Sequence, residues 1–310
     1  MDNLLKGITV LDFSHRLPGP LGMNILGKMG AKVIKIEDAK FGDAFVTGLF
    51  SSFDPSFEDW YKGLNEFKEI IKLDFKAEAT IAKLHTMIKN ADAILMTLPD
   101  KIKTSLKLTD DDLKKIKKNI VVVEMGSSTQ HQESMHDLNA MALTGMMSLH
   151  VAQTDEAIVA PPFLPISGIF FGQQLATQLL AGVLKAQREM TFVKTTAYLY
   201  DTADFLCKPL WSQNLRDKKM VKFLHNGAFP CYCIYRTNDH HYVGVAAVEE
   251  KFWNEFSQTF EISLPANQRF DQDKAAFLSI AKSIGKLNLA DIEKMLKNKD
   301  MCVSIIKKVN

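Results

Sequence analysis

The chain has 310 residues, 46% hydrophobic and 24% charged, with a formal net charge of +2. That length supports a full core and two domains, and the near-balance of charge argues against an extended nucleic-acid footprint. No apolar run approaches the ~20 residues of a membrane helix, and no signal peptide opens the chain at Met1-Asp2-Asn3, so a cytoplasmic protein is expected.

Residues 8–13 and 33–37 read as strands. Between them Pro20 suits the first turn of a helix, Leu21, Ile25, Leu26 and Met29 form its apolar face, and Gly30 supplies a stop. This β-α-β unit should cross over right-handedly. Further strands are expected at 93–98 and 120–125, preceded by helices at 77–90 and 111–118. The second helix opens on Asp110-Asp111-Asp112 and closes on Lys114, Lys115, Lys117 and Lys118, a charge order that suits the helix dipole and a solvated face. Alternating strands and helices specify an α/β parallel sheet. The turn Ser14-His15-Arg16-Leu17-Pro18-Gly19-Pro20 is not G-x-G-x-x-G, and no phosphate-binding G-x-x-x-x-G-K-[ST] occurs, which excludes the usual dinucleotide and P-loop readings.

A polar loop at 127–134 leads into Met135-His136-Asp137-Leu138-Asn139-Ala140 and an apolar run at 141–149. A histidine at a helix start is either a general base or a locally hydrogen-bonded helix residue; histidine is the side chain that changes charge near neutral pH. Asp137 either supports that imidazole or caps a helix. His15, His131 and His150 read as loop or core histidines, and Asn24, Gln173 and Gln174 as cleft-facing groups or helix surface. A second acid or base for a two-base mechanism would have to come from Pro161-Pro162-Phe163-Leu164-Pro165-Ile166-Ser167-Gly168, which offers only a serine and a glycine.

A long helix follows to about Arg188, then a strand at 192–200 and a helix at 202–215. A second domain is expected to begin near Lys222, giving domains of 1–220 and 221–310. In it, strands at 231–236 and 241–246 flank the turn Thr237-Asn238-Asp239-His240, and helices follow at 249–259, 274–284 and 290–297. The four cysteines, Cys207, Cys231, Cys233 and Cys302, have no second Cys/His pair at zinc spacing, so no metal site is expected and the thiols should be reduced.

The order of these motifs resembles the class III CoA-transferase family, most of all its alpha-methylacyl-CoA racemase branch. The resemblance lies in Leu5-Lys6-Gly7-Ile8 through Pro18-Gly19-Pro20 to Gly30-Ala31-Lys32-Val33-Ile34-Lys35-Ile36-Glu37, then in Ile71-Lys72-Leu73-Asp74-Phe75-Lys76. It continues in His136-Asp137-Leu138-Asn139 with Leu143-Thr144-Gly145, in Asn226-Gly227-Ala228-Phe229-Pro230 with Tyr235-Arg236-Thr237 and Ala247-Val248-Glu249, and in Asp300-Met301-Cys302-Val303.

The resemblance implies a Rossmann-like, CoA-binding large domain, a smaller α/β domain and an interlocked homodimer. It also implies chemistry on acyl-CoA thioesters, as substrate or ligand, with no further cofactor, nucleic acid or membrane partner. It makes His136 the α-proton base, Glu249 its partner across a cleft and Asp137 a supporting carboxylate. Lys35, Lys76, Met135, Leu138 and Asn139 would contact CoA. Pro99 and Ser105 fall where racemases carry phosphate-binding arginines, with Lys101 or Lys103 as partial substitutes. Gly168 falls where the family carries its catalytic aspartate, and the chain ends soon after Cys302, where the family continues. The reading is therefore a divergent family member that acts on or binds acyl-CoA thioesters, and whether it turns them over is open. A non-catalytic acyl-CoA-binding or structural relative stays open, as does a CoA-transferase recruiting another carboxylate, Asp155 or Asp137.

Overall fold

The computed structural model describes residues 3–152, 154, 156–217 and 223–308; Asp155 and Lys222 lie outside them. The chain divides into two compact units, Met1–Trp211 and Ser212–Asn310.

The first unit is built on six parallel strands: β1 (Thr9–Asp12), β2 (Lys32–Asp38), β3 (Lys68–Leu73), β4 (Ala93–Met96), β5 (Val121–Gly126) and β6 (Val193–Tyr198). Their order is β3-β2-β1-β4-β5-β6. The inner strands read as continuous apolar runs because both faces of the sheet are covered. On one face Val10, Val33, Ala93, Leu95, Val121 and Val123 meet α1 (Pro18–Lys28) and the long α9 (Ile166–Glu189). On the other, Leu11, Ile34, Ile94, Met96 and Val122 meet α4 (Glu78–Lys89) and α6 (Asp110–Ile116) through Leu84, Ile88 and Leu113. Strands of period two thus feed two separate cores.

Shorter helices lie in the connections: α2 (Leu49–Phe53), α3 (Ser56–Leu64), α5 (Asp100–Ser105), α7 (Asp137–Leu143), α8 (Met146–Val151) and α10 (Leu199–Cys207). The helix expected over 202–215 is interrupted at Lys208–Leu210, because Pro209 has no N–H to continue the ladder. Strand β3 and helices α2 and α3 were not expected from pattern. β3 is an edge strand with the sequence KEIIKL, so it lacks the apolar run of its inner neighbours. The inward face of α1 also differs from the expected one: Gly22, Met23 and Leu26 are buried, while Leu21 and Ile25 are only partly so.

The second unit holds α11 (Gln213–Arg216), the hairpin of β7 (Tyr232–Arg236) and β8 (Tyr242–Ala246), then α12 (Glu250–Thr259), α13 (Lys274–Ile284), α14 (Leu289–Leu296) and β9 (Val303–Ile305), which adds to β8. Trp253, Phe256, Ile280, Ile284 and Ile292 pack on Tyr235, Val243 and Val245 as its core. Asp239 in the hairpin turn accepts the Leu289 N–H at 3.0 Å, tying the turn to the start of α14. Among the described residues no helix is long and apolar enough to cross a membrane.

Helices α1 and α9 approach closely enough that side chains are excluded at the contact. A Cβ on Gly22 would lie 2.4 Å from the Gly172 carbonyl oxygen, and one on Gly172 would lie 2.8 Å from the Pro18 carbonyl oxygen. Gly22→Ala is expected to destabilise the first unit by about 1–3 kcal/mol through overpacking against backbone. A lowered urea midpoint at unchanged slope is the expected readout, and an unchanged midpoint would contradict this contact.

Candidate functional site

In a parallel sheet of this order the chain leaves β1 and β4 in opposite directions, which opens a crevice beyond their C-terminal ends. A cavity of about 780 Å³ lies there. Its floor comes from the strand ends: His15, Arg16, Leu17 and Pro18 after β1, Thr97 after β4, and Met125, Gly126 and Ser127 at the end of β5. Phe45, Phe50, Phe57 and Trp60 form an aromatic wall whose rings meet at centroid distances of 5.0 to 6.1 Å. Met135 and His136 just before α7 line it with Asp137, Leu138 and Met141 of α7, and so do Pro161, Pro162, Phe163 and Pro165 before α9 and Gly168 in its first turn.

His136 is the residue before α7, exposed, and its backbone N–H donates to Asn139 Oδ1 at 3.0 Å. Asp137, the first residue of α7, reaches across to the start of α9, where its Oδ1 accepts the Gly168 N–H at 2.7 Å. Burial pushes the Asp137 carboxyl up, against the opposing pull of the Gly168 and Ser167 backbone N–H groups. Gly168 is buried in the first turn of α9, and Ser167 Oγ beside it is buried without a hydrogen-bond partner. His136 and Asp137, adjacent in sequence, therefore meet Gly168, 31 residues further on from Asp137, at one cavity wall.

The other expected site residues are distributed differently. Met135 and Leu138 line the cavity, whereas Asn139, engaged with the His136 N–H, is not among its lining residues. Glu249 is exposed and belongs to the second unit, immediately before α12. Lys76 is exposed just beyond β3, and Lys101 is exposed on α5. Lys103 is engaged by Asp100 at 2.8 Å and Glu124 at 2.9 Å.

Lys35 requires a correction. Its ammonium is fully buried, 2.6 Å from the Ser14 carbonyl oxygen, 3.1 Å from Asp43 and 3.8 Å from Glu37. A lysine in the middle of a parallel strand can be kept charged only with such partners, so it is spent on the fold and is not free for a CoA phosphate.

Around it lies a buried network of charge. Lys68 pairs with Asp12 at 2.9 Å, Asp12 also accepts from the Ser14 N–H and hydroxyl, and the Tyr61 hydroxyl donates to Glu37 at 2.9 Å. Asp43 accepts the Arg16 N–H at 3.1 Å, holding Arg16 at a φ of 65°, with its guanidinium over the Phe50 ring.

His15 was expected to be a loop or core histidine, yet it lines the cavity. Its Nδ1 is buried without a hydrogen-bond partner, and burial together with Lys35 pushes its pKa down, against the pull of Asp43, Asp12 and Glu37, so it is neutral at pH 7. The clue in the sequence is its place in the turn after the first parallel strand. The aromatic wall had no such clue, since Phe50, Phe57 and Trp60 are carried by helices that the pattern did not show and Phe45 by the connection before them. Asn24 binds the Gly63 carbonyl and the Phe67 N–H, stapling α1 to the connection before β3. His131 stacks edge-on with Tyr200, and His150 bonds the Ala160 carbonyl.

The fold and this site define the class, and comparison with known proteins gives the family. A family model described as CoA-transferase family III matches residues 5–310, so the chain belongs to that family. Human alpha-methylacyl-CoA racemase is 26% identical over 268 residues, 80% of this chain and 63% of that protein. The chain thus spans less than two thirds of that relative's length. The probable fatty acyl-CoA transferase Rv3272 of Mycobacterium tuberculosis is 24% identical over 92% of this chain and 76% of its own. A CAIB/BAIF family protein from Brucella suis superposes with a TM-score of 0.77 at 17% identity, covering 99% of this chain and 85% of that one.

The buried charges beneath the cavity make stability pH-dependent. Burial alone would raise the Asp12 carboxyl, but Lys68, Lys35 and the Ser14 hydrogen bond outweigh it and hold it below 3.8. A depressed folded-state value means a stabilisation that is complete above about pH 3.8, the unfolded value, and is lost as pH falls through the lower folded one. Asp12→Asn should remove this part of the acid dependence. At pH 7 it should cost about 3–5 kcal/mol, because Lys68 is left buried without its counter-ion. Urea unfolding from pH 7 to pH 2 tests this, and an identical pH profile in the variant would refute it.

Proposed function

We propose that this chain binds acyl-CoA thioesters at the cavity beyond β1 and β4, as a divergent, cytoplasmic member of CoA-transferase family III with racemase-like α-proton chemistry. The observation that carries the reading is the meeting of His136, Asp137 and Gly168 on one wall of a largely apolar cavity. An apolar, aromatic-lined cavity suits an acyl chain, and few convergent polar groups suit its reacting end. A thioester acidifies its C2 proton, and His136 in its neutral form can remove that proton as general base. Glu249 is kept as the proposed partner of His136, and Lys76 as a proposed phosphate contact.

Gly168 favours a second reading beside this one: binding with little turnover. The resemblance of motifs implies a carboxylate where this chain has Gly168, and a glycine can neither form an acyl anhydride nor return a proton. A transferase route through Asp155 depends on a residue outside the described ones.

A homodimer is part of the proposal. It is supported by exposed Leu143, Phe205 and Leu210 on and beside α7 and α10, which pack together; exposed apolar groups of this kind mark interaction surfaces. Sedimentation at micromolar concentration is expected to give a dimer, and a monomer would count against it.

Binding is tested by thermal unfolding with acetyl-CoA and a 2-methylacyl-CoA. A ligand of the folded form stabilises by about 2.7 kcal/mol at 100 times its Kd, so Tm should rise with thioester concentration. His136→Ala should retain that rise while slowing C2 deuterium exchange by about 10²–10⁴-fold. Absence of any rise would remove the acyl-CoA reading.

A further inference from the structure

The carboxylate missing at position 168 has a near neighbour. A Cβ built on Gly168 would stand 3.6 Å from Asp137 Oδ1, with Leu17 Cδ2 at 3.0 Å and Pro165 Cβ at 3.9 Å also among its nearest neighbours. An aspartyl carboxyl carbon lies one C–C bond, about 1.5 Å, beyond its Cβ. A side-chain carboxylate at 168 and the carboxylate of Asp137 would therefore compete for the same small region at the start of α9. In this chain the carboxylate that reaches that region is the one of Asp137.

We infer that Asp137 is the acid–base carboxylate of this site, standing where Gly168 contributes no side chain. The inference rests on the acyl-CoA reading above. Asp137 lines the cavity beside His136, so it can touch a substrate there. Its position is fixed from two sides: its own backbone begins α7, and its Oδ1 is held by the Gly168 N–H at the start of α9. An acid–base group needs this kind of fixed geometry. Half-burial pushes its carboxyl up from the ordinary carboxylate value, the direction that makes it a better proton acceptor.

The step balances without a co-reactant. For the enantiomer that presents its C2–H to Asp137 rather than to His136, that bond breaks, its electron pair moves into the C1–C2 bond as the carbonyl π pair moves to oxygen to give the enolate, and the proton passes to the Asp137 carboxylate. His136 removes the proton of the other enantiomer. Reprotonation at C2 returns the same proton or one exchanged with solvent. The other ionisable or charged groups lining the cavity are His136 on the same helix start, and His15 and Arg16 from the turn after β1. His15, whose Nδ1 makes no hydrogen bond and lies 3.9 Å from Asp43, is the rival for the role.

The competing explanation is purely structural, with Asp137 acting as a cap for α9. Asp137→Asn separates the two, because the amide oxygen can still accept the Gly168 N–H but cannot carry the exchangeable proton. Asp137→Ser, another capping residue, is the second variant should the first fold poorly. The experiment follows C2 deuterium incorporation into 2-methylacyl-CoA in D₂O, with the thioester-induced Tm rise measured on the same full-length proteins.

We expect the Tm rise to survive in Asp137→Asn while exchange slows by about 10²–10⁴-fold, and Gly168→Asp introduced into Asp137→Asn to recover part of it. Exchange that is unchanged in Asp137→Asn and Asp137→Ser, or that is lost only in His15→Gln, would overturn the assignment. Wild-type protein that shows the Tm rise but no exchange above solvent would also overturn it while leaving the binding reading standing. No Tm rise with any thioester would take down both.

Discussion

A parallel sheet delivers the C-terminal ends of all its strands to one edge, and the rest of this molecule is arranged around that constraint. Six strands in the order β3-β2-β1-β4-β5-β6 bring the turn after β1, the end of β5 and the connections beyond them to a common rim. Because the chain departs from β1 and β4 on opposite sides, no helix covers the seam between them, and the crevice follows from connectivity. Covering both faces of the sheet then demands helices packed tightly on it. Gly22 and Gly172 let α9 lie against α1 at backbone distance. That close contact fixes where α9 begins, and with it the place of Gly168.

Beneath the crevice the chain buries charge that ordinary packing would reject. Lys35, Glu37, Asp12 and Asp43 are all fully buried as residues, and the Lys68 side chain is buried with them. Such groups are tolerated because each ammonium faces a carboxylate, and the Ser14 carbonyl, the Ser14 hydroxyl and Tyr61 satisfy further hydrogen bonds. Removing one member is costly where replacing all with apolar groups need not be, so the network acts as a unit. Asp43 links it to the cavity, by holding the Arg16 backbone in a left-handed turn that sets His15 and Arg16 on the rim.

The start of α9 shows how one side chain can serve structure and chemistry together. Orphan N–H groups at a helix start need acceptors, and Asp137 supplies one from another helix. The same bond that satisfies the backbone holds a carboxylate in the cavity, half-withdrawn from water, beside an imidazole. A glycine at 168 leaves room for this arrangement. An aspartate there would put two carboxylates close together, and like charges at that range do not both ionise readily.

Much of the architecture was legible in the sequence. Apolar runs at 8–13, 33–37, 93–98 and 120–125 alternating with amphipathic helices dictate a parallel sheet, because strands buried on both faces have no polar side. The order of motifs along the chain was enough to name the family. The edge strand β3 and helices α2 and α3 were not legible, since their residues are stabilised by contacts distant in sequence and carry no period of their own. Lys35 shows the limit most plainly. As a letter it reads as an anion ligand, and only the fold reveals that Asp43 and the Ser14 carbonyl already hold its charge. The setting of His15 beside Lys35 and Asp43, and the approach of Asp137 to Gly168, likewise depend on through-space neighbours about 20 to 31 residues away. Sequence determined which groups the chain carries and the elements they ride on; tertiary structure decided which of them meet, because burial and hydrogen-bond partnership are properties of pairs that no single position encodes.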